Sequence, residues 1–260
     1  MSARQAPIRD VAPTLQRLRL RYAKRGRLRF TSSRDFQRAL ERALRRTGVP
    51  MAYSQGFNPH PKISYINAAP TGTASEAEYV EIAVTAVLDP ELVRAALDAA
   101  LPPGLDVLEV VEVRAPDFAE RMQASVWVIE LPGVAVGEAE NAVATFLAAP
   151  LVEVQRLTKS GMRTFDAREP VIRLEVRNTP AAGVAGDGSE VLCVILDLVV
   201  RHVTPSVRPD DVLAALRHVA DLVPPVPSRV TRLAQGPLVA DASIGAAMDA
   251  VTDPLAPDRG

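Results

Sequence analysis

Arg17-Leu18-Arg19-Leu20-Arg21-Tyr22 is the stretch on which the fold turns. Leu18, Leu20 and Tyr22 fall on one side of a two-residue period and Arg17, Arg19 and Arg21 on the other. That pattern predicts a half-buried strand with an arginine ladder facing out. Upstream, residues 1 to 14 carry Pro7 and Pro13 with no periodicity and are expected to be a flexible lead-in. Downstream, Ala23 to Gly26 can turn, and Arg27-Leu28-Arg29-Phe30 resumes the alternation as a hairpin partner or a bulged continuation.

The period then changes. Ser32 and Asp35 have capping-box spacing, and Phe36, Ala39, Leu40, Ala43 and Leu44 define one apolar face, so a helix is predicted from Ser33 to about Thr47, closed by Gly48. Arg34, Arg38, Arg42 and Arg45 lie within about 80° of one another on that helix and form a basic stripe. Ser54-Gln55-Gly56-Phe57-Asn58-Pro59-His60-Pro61-Lys62-Ile63-Ser64-Tyr65 follows. Its two prolines keep Asn58 and His60 out of the helical region, which predicts a stiff extended loop presenting His60 and Lys62, with Gly56 free to turn sharply.

Ile63 to Ala69 and Glu78 to Ala86 read as strands, Asp89 caps a helix with Pro90 at its first position, and Leu105 to Val113 is a further strand. The order strand, helix, strand, strand, helix, strand is the ferredoxin-like arrangement, an antiparallel sheet with two helices on one face. It recurs after a boundary at Arg114 to Asp117. Strands are predicted at Ala124 to Leu131, Val152 to Thr158, Val171 to Arg177, Glu190 to Val200 and Ser228 to Leu233. Helices are predicted at Gly137 to Ala148 and Pro209 to Leu222, and a Gly- and Ala-rich loop spans Thr179 to Ser189. Pro90, Val93, Ala95, Ala96 and Leu97 match Pro209, Val212, Ala214, Ala215 and Leu216 at one constant offset, as a duplication would leave them. The expected fold is therefore α+β: two tandem ferredoxin-like domains at 15 to 114 and 118 to 239, then a disordered tail from 240 to 260 containing at most a short helix at Ile244 to Ala250.

Formal net charge is −1, but residues 1 to 50 hold fourteen Arg or Lys against three Asp or Glu. A basic segment on an otherwise acidic chain is the electrostatic footprint of a nucleic-acid surface, and it is equally the pattern of a solvated basic face. One cysteine, Cys193 in an apolar run, and three dispersed histidines give no ligand set for zinc, iron or an iron-sulfur cluster, so no metal, flavin or other cofactor is expected. His202 and His218 read as structural. No apolar run reaches the roughly 18 residues of a membrane span, and the N-terminus lacks a signal-peptide core, so a cytoplasmic protein is expected. The absence of G-x-x-x-x-G-K, G-x-G-x-x-G and G-x-S-x-G leaves nucleotide hydrolysis and hydrolase-fold chemistry without support.

Residues 19 to 30, Asp35 and Arg38, residues 53 to 64, and Pro70, Gly72, Ser75 and Glu78 together resemble the radical SAM-linked protein family. This is a bacterial family of unknown function encoded beside, or fused to, a radical S-adenosylmethionine enzyme. The resemblance spans about residues 15 to 240; in the second half Lys159, Arg163 and Asp166 are similar to the family's pattern of a lysine and an arginine leading into an aspartate before a strand. It implies a radical SAM enzyme as partner and supplies no reaction. Where the family's motif has Ser-His after the basic strand, this chain has Ser32-Ser33.

Three functions fit these residues. The first is binding of structured RNA. Arg17, Arg19, Arg21, Lys24, Arg25, Arg27, Arg29, Arg34, Arg38, Arg42 and Arg45 would neutralise phosphates, and Ser54, Gly56, Phe57, Asn58, His60, Lys62 and Ser64 would form the loop site. With few aromatic residues in the chain, recognition is expected through shape and charge rather than a stacking platform. The second is metal-independent RNA processing, loosely similar to CRISPR repeat-processing endonucleases, with His60 as general acid or base. The third is a protein-only adaptor for the radical SAM partner. Asp35, Glu78, Lys159, Arg163 and Asp166 are secondary site candidates.

Overall fold

A computed structural model describes residues 12–55, 57–158, 161–177, 181–184, 190–241 and 245–259. The chain divides into two compact units, one of residues up to Ala119 together with those from Leu255 onward, the other of Glu120–Pro254. The fold is mixed α/β, with four α-helices among the described residues and antiparallel strand pairing within each unit.

In the first unit β1 (Gln16–Lys24), α1 (Ser33–Arg46), β2 (Ile63–Ile66), β3 (Ala74–Val84), α2 (Pro90–Ala100) and β4 (Val107–Glu112) follow in chain order, and the strands lie β4-β1-β3-β2 across the sheet. Leu18, Leu20 and Tyr22 of β1 pack with Val80, Ile82 and Val84 of β3, Phe36, Leu40 and Leu44 of α1, and Val93 and Leu97 of α2 in one apolar core. Ser32 caps α1 as its spacing predicts: its hydroxyl accepts from the Asp35 amide at 3.2 Å and lies 2.7 Å from the Asp35 carboxylate. Gly48, at φ +69°, ends the helix in a conformation that costs a side-chain-bearing residue energy. Arg27 to Phe30 do not resume the strand. They wind into a single 3-10 turn, Gly26–Phe30, between β1 and α1.

In the second unit β5 (Ala124–Pro132) and α3 (Val136–Ala148) precede a two-stranded hairpin, β6 (Glu153–Thr158) with β7 (Gly161–Asp166). Then come β8 (Val171–Val176), β9 (Ala181–Val184), β10 (Glu190–Arg201), α4 (Pro209–Ala220) and β11 (Arg229–Gly236), with order β11-β5-β10-β8 and β9 beside β10. Two predictions change here. The strand expected at 152 to 158 belongs to a separate hairpin with β7, which its sequence did not announce. Part of the expected 179 to 189 loop, Ala181–Val184, pairs with β10. In both units the link from the first helix to the edge strand folds back on itself, through the Tyr53 to Pro61 bridge in one and β6–β7 in the other.

The tail expected from 240 onward is ordered where the structure describes it. Leu238 bridges Val251, and Ala250 and Val251 pack on Ala124, Val126 and Val199, covering the face of the second sheet that α3 and α4 leave open. Leu255 and Asp258 are buried in the first unit. Residues 247 to 250 form a 3-10 turn; Ile244 lies outside the described residues.

Candidate nucleic-acid interface

Burying Phe36, Leu40, Ala43 and Leu44 turns the opposite side of α1 to solvent, and Arg34, Arg38, Arg42 and Arg45 are exposed there. Arg38 has a loose contact with Asp35 at 3.9 Å. Among the described residues no carboxylate pairs with Arg34, Arg42 or Arg45, nor with Arg27 on the preceding turn. Arg29 stacks over Phe30, its guanidinium carbon 4.6 Å from the ring centroid.

The Pro-rich loop is held by hydrogen bonds as well as by its prolines. The Ser54 amide donates to the His60 carbonyl at 2.9 Å, the His60 amide donates to Ser54 Oγ at 3.1 Å, and Ser54 Oγ lies 2.9 Å from His60 Nδ1. With the ring proton on Nε2, Ser54 Oγ accepts the amide and donates to Nδ1; with it on Nδ1, Ser54 Oγ accepts from both, and in either tautomer Nε2 is left for a ligand. Lys62 N donates to Ala52 O at 2.8 Å, so the base of the loop is anchored. Phe57, Asn58, His60, Lys62 and Ser64 are exposed, whereas Gly56 lies outside the described residues.

His60 stands between two clefts. One, of about 310 Å³, is lined by Glu41 and Arg45 of α1 together with Met51, Tyr53, Pro59 and His60, so the helix stripe and the loop meet at one place. The other, of about 340 Å³, includes Arg17, His60, Lys62, Ser64 and Glu81. Phe30, Tyr53 and Phe57 are 59%, 40% and 53% exposed, and no other aromatic ring among the described residues is exposed. The few aromatic residues of the chain argued against a stacking platform, yet those that reach solvent are interleaved with the arginines between residues 30 and 57.

The strand part of the predicted interface is corrected. Arg19 is 3% exposed, and its guanidinium donates to Glu81 at 3.1 Å, Ala115 O at 2.8 Å and Asp258 at 2.6 Å while lying 4.5 Å from the centre of the buried Phe118 ring. Lys24 is buried too and donates to Pro70 O at 3.1 Å. Arg21 faces Glu109 at 3.7 Å, and Arg25 is held by Glu76 and by Asp106, the latter at 2.8 Å. Burying an unpaired cation costs several kcal/mol, so the ladder is matched by acids from β3, β4 and the C-terminal segment. Only Arg17 of the ladder stays largely exposed, with Glu81 at 3.7 Å.

The secondary candidates scatter. Asp35 caps α1. Glu78 is buried and accepts from the Ala69 amide at 3.1 Å, beside Lys24 and the Tyr22, Phe36 and Tyr65 rings; Ser33 borders the same small void. Asp166 accepts from the amides of Val152 and Arg168, both at 2.9 Å, and so shapes the turn after β7. Arg163 is exposed on β7, and Lys159 lies outside the described residues.

Sequence reasoning did not single out Ser125. Its hydroxyl lies 2.5 Å from His202 Nε2, and His202 Nδ1 donates to Met122 O at 2.7 Å, which has the form of a nucleophile and its base. Ser125 is 1% exposed, so nothing reaches it and the pair is structural. Burial holds the His202 imidazole below its ordinary pKa. Among the described residues no three His, Cys, Asp or Glu side chains gather as metal ligands, and no helix is long and apolar enough to cross a membrane.

Comparison with curated proteins gives no match. The family model described as an uncharacterized protein conserved in bacteria (DUF2344) matches residues 17–209, a span holding β1 from Arg17 onward, α1 and the whole of the Pro-rich loop. More than half of the chain is covered, and the protein belongs to this bacterial family.

Proposed function

We propose that this chain binds structured RNA through the outer face of α1 and the 54 to 65 loop, as an accessory protein of a radical SAM enzyme. The observation that carries the reading is the shared cleft of Arg45 and His60, which joins the Pro-rich loop to a row of arginines in which, among the described residues, only Arg38 has an acidic partner. Successive turns of α1 are ~5.4 Å apart, so Arg34, Arg38, Arg42 and Arg45 can meet successive backbone phosphates from one side. Phe57 and Tyr53 offer rings on which an unpaired base can stack, worth ~1 to 3 kcal/mol each. Phosphate contact supplies affinity and the loop supplies preference for unpaired or bulged positions. The order β4-β1-β3-β2, repeated as β11-β5-β10-β8, supports reading the units as tandem ferredoxin-like domains, with β6–β7 inserted in the second. The radical SAM partner rests on the sequence resemblance; co-expression with such an enzyme followed by gel filtration tests it, separate elution counting against it.

A second reading, metal-independent RNA processing, is favoured by the His60 imidazole, which Ser54 holds at Nδ1 with the other nitrogen free for proton transfer. Incubating labelled RNA with the wild type and with His60→Ala decides between them. Cleavage lost in the variant while binding survives supports the enzyme; no cleavage by the wild type leaves binding.

A further inference from the structure

We propose that the cleft on the β2 side of the loop binds a phosphomonoester, the terminal phosphate of an RNA strand or of a nucleotide; as an RNA-end site it rests on the function proposed above. The cleft follows from strand register. Arg17 of β1 pairs with Ala83 of β3, and the Ala83 amide donates to the carbonyl of Lys62 at 3.1 Å, so Arg17, Ala83 and Lys62, the residue before β2, form one row. Adjacent strands are ~4.8 Å apart, which places the two cationic residues roughly 10 Å apart with only a methyl group between them. Their long side chains therefore flank an opening whose floor is small. In the neighbouring row Ser64 pairs with Glu81, which in turn pairs with Arg19.

The electrostatics of these rows leave a surplus of positive charge. Arg19 lies 3.1 Å from Glu81 and 2.6 Å from Asp258, and Arg17 lies 3.7 Å from Glu81, so with Lys62 three cations meet two carboxylates and one positive charge is left over. Lys62 is exposed, and among the described residues no carboxylate pairs with it. His60 and Ser64 line the same space, which adds an imidazole and a hydroxyl. Guanidinium, ammonium, imidazole and hydroxyl groups thus line one cleft from both walls. A carboxylate can be served by a single guanidinium, whereas a tetrahedral dianion accepts from several directions at once and matches a donor set split between two walls. The volume of about 340 Å³ lies within the ~300 to 1,000 Å³ range of small-ligand sites and admits a nucleotide as well as a phosphate group. His60 borders both clefts, so a strand ending here can rest its last base toward Tyr53 and its terminal phosphate between Arg17 and Lys62.

The test compares fluorescence anisotropy of one RNA hairpin with a single-stranded overhang, ended by phosphate or by hydroxyl, on the full chain, with calorimetry of AMP and of adenosine alongside. Two added charge-assisted hydrogen bonds predict a preference of ~10-fold or more for the phosphate end, falling to within ~2-fold in Lys62→Ala and Arg17→Ala and kept in part by Lys62→Arg. AMP should bind where adenosine does not. Equal binding of both RNA ends, with no binding of AMP, overturns the phosphate site and leaves the RNA reading standing. If neither RNA binds, the RNA reading fails and AMP decides this one: binding that Lys62→Ala abolishes keeps the site with a free nucleotide as its source, and no binding overturns it.

Discussion

Arg19 and Asp258, 239 residues apart in the chain, form a 2.6 Å ion pair in which the two side chains are 3% and 0% exposed. The second Asp258 oxygen accepts from the amides of Arg114 and Ala115, both at 2.9 Å, so the carboxylate is fully engaged. Beside it Arg259 grips Glu109 with two bonds of 2.6 and 2.8 Å. The C-terminal residues are thus a structural part of the first unit.

Asp258→Ala should lower stability by ~3 kcal/mol, because it strands a buried guanidinium that then keeps only Glu81 and a carbonyl. Urea denaturation measures this, and a loss under ~0.5 kcal/mol would show that the pair contributes little.

Tyr65 carries a buried hydroxyl with no hydrogen-bond partner among the described residues, and its ring packs edge-on against Phe36 at 6.1 Å. Burial, with the nearby Glu41 charge, pushes its pKa up. Tyr65→Phe removes the unsatisfied group and keeps the ring, so stability should stay level or rise by up to ~1 kcal/mol. A loss of that size in thermal or urea unfolding would reveal a partner for the hydroxyl.

His202 gives the fold a pH dependence of known sign. Its folded pKa lies below the unfolded value, chiefly through burial, with the Arg232 charge adding to the shift and the Met122 carbonyl opposing it. Its contribution is complete above about pH 6.5 and declines as pH falls from there toward the lower folded value, because the unfolded chain takes up the proton first. The melting temperature should therefore drop between pH 7.5 and 5.5, and His202→Gln should flatten that drop. An equally steep profile in the variant would assign the dependence elsewhere.

Much of the first unit is legible in its sequence. Leu18, Leu20 and Tyr22 and the 3.6-residue spacing of Phe36, Leu40 and Leu44 name their elements unaided, because period alone decides which face is buried. Arg19 marks where such reasoning ends. Alternation assigns it to the face away from the helices, but only Phe118 and Asp258, distant in sequence, decide that this face is covered. The same holds for the tail, where Pro254 and Pro257 break any period and Leu255 is buried by contacts that no local pattern encodes. In β6 and β7 only the Val154–Phe165 pair reaches the core, while Leu157 and Met162 are exposed across from each other, so most of the hairpin lacks the buried side that makes a strand readable. At the candidate interface the exposed stripe on α1 and the exposure of His60 and Lys62 were legible. Their meeting at one cleft was not, because Arg45 and His60 belong to different elements.

Salt should weaken RNA binding steeply. If each of the four α1 arginines meets one phosphate, affinity should fall by about 50- to 150-fold between 50 and 200 mM salt. A change of less than about threefold in anisotropy titrations would mean that the stripe does not touch the backbone.

The account stands most directly on one measurement: the affinity of a structured RNA for the wild type and for the triple variant Arg38→Glu, Arg42→Glu, Arg45→Glu at 50 mM salt. These side chains are exposed, so the melting temperature should change little, while binding should weaken by ~100-fold or more as three attractions become repulsions. Wild-type affinity retained in a variant that melts normally would contradict the assignment of α1 as the RNA-binding face.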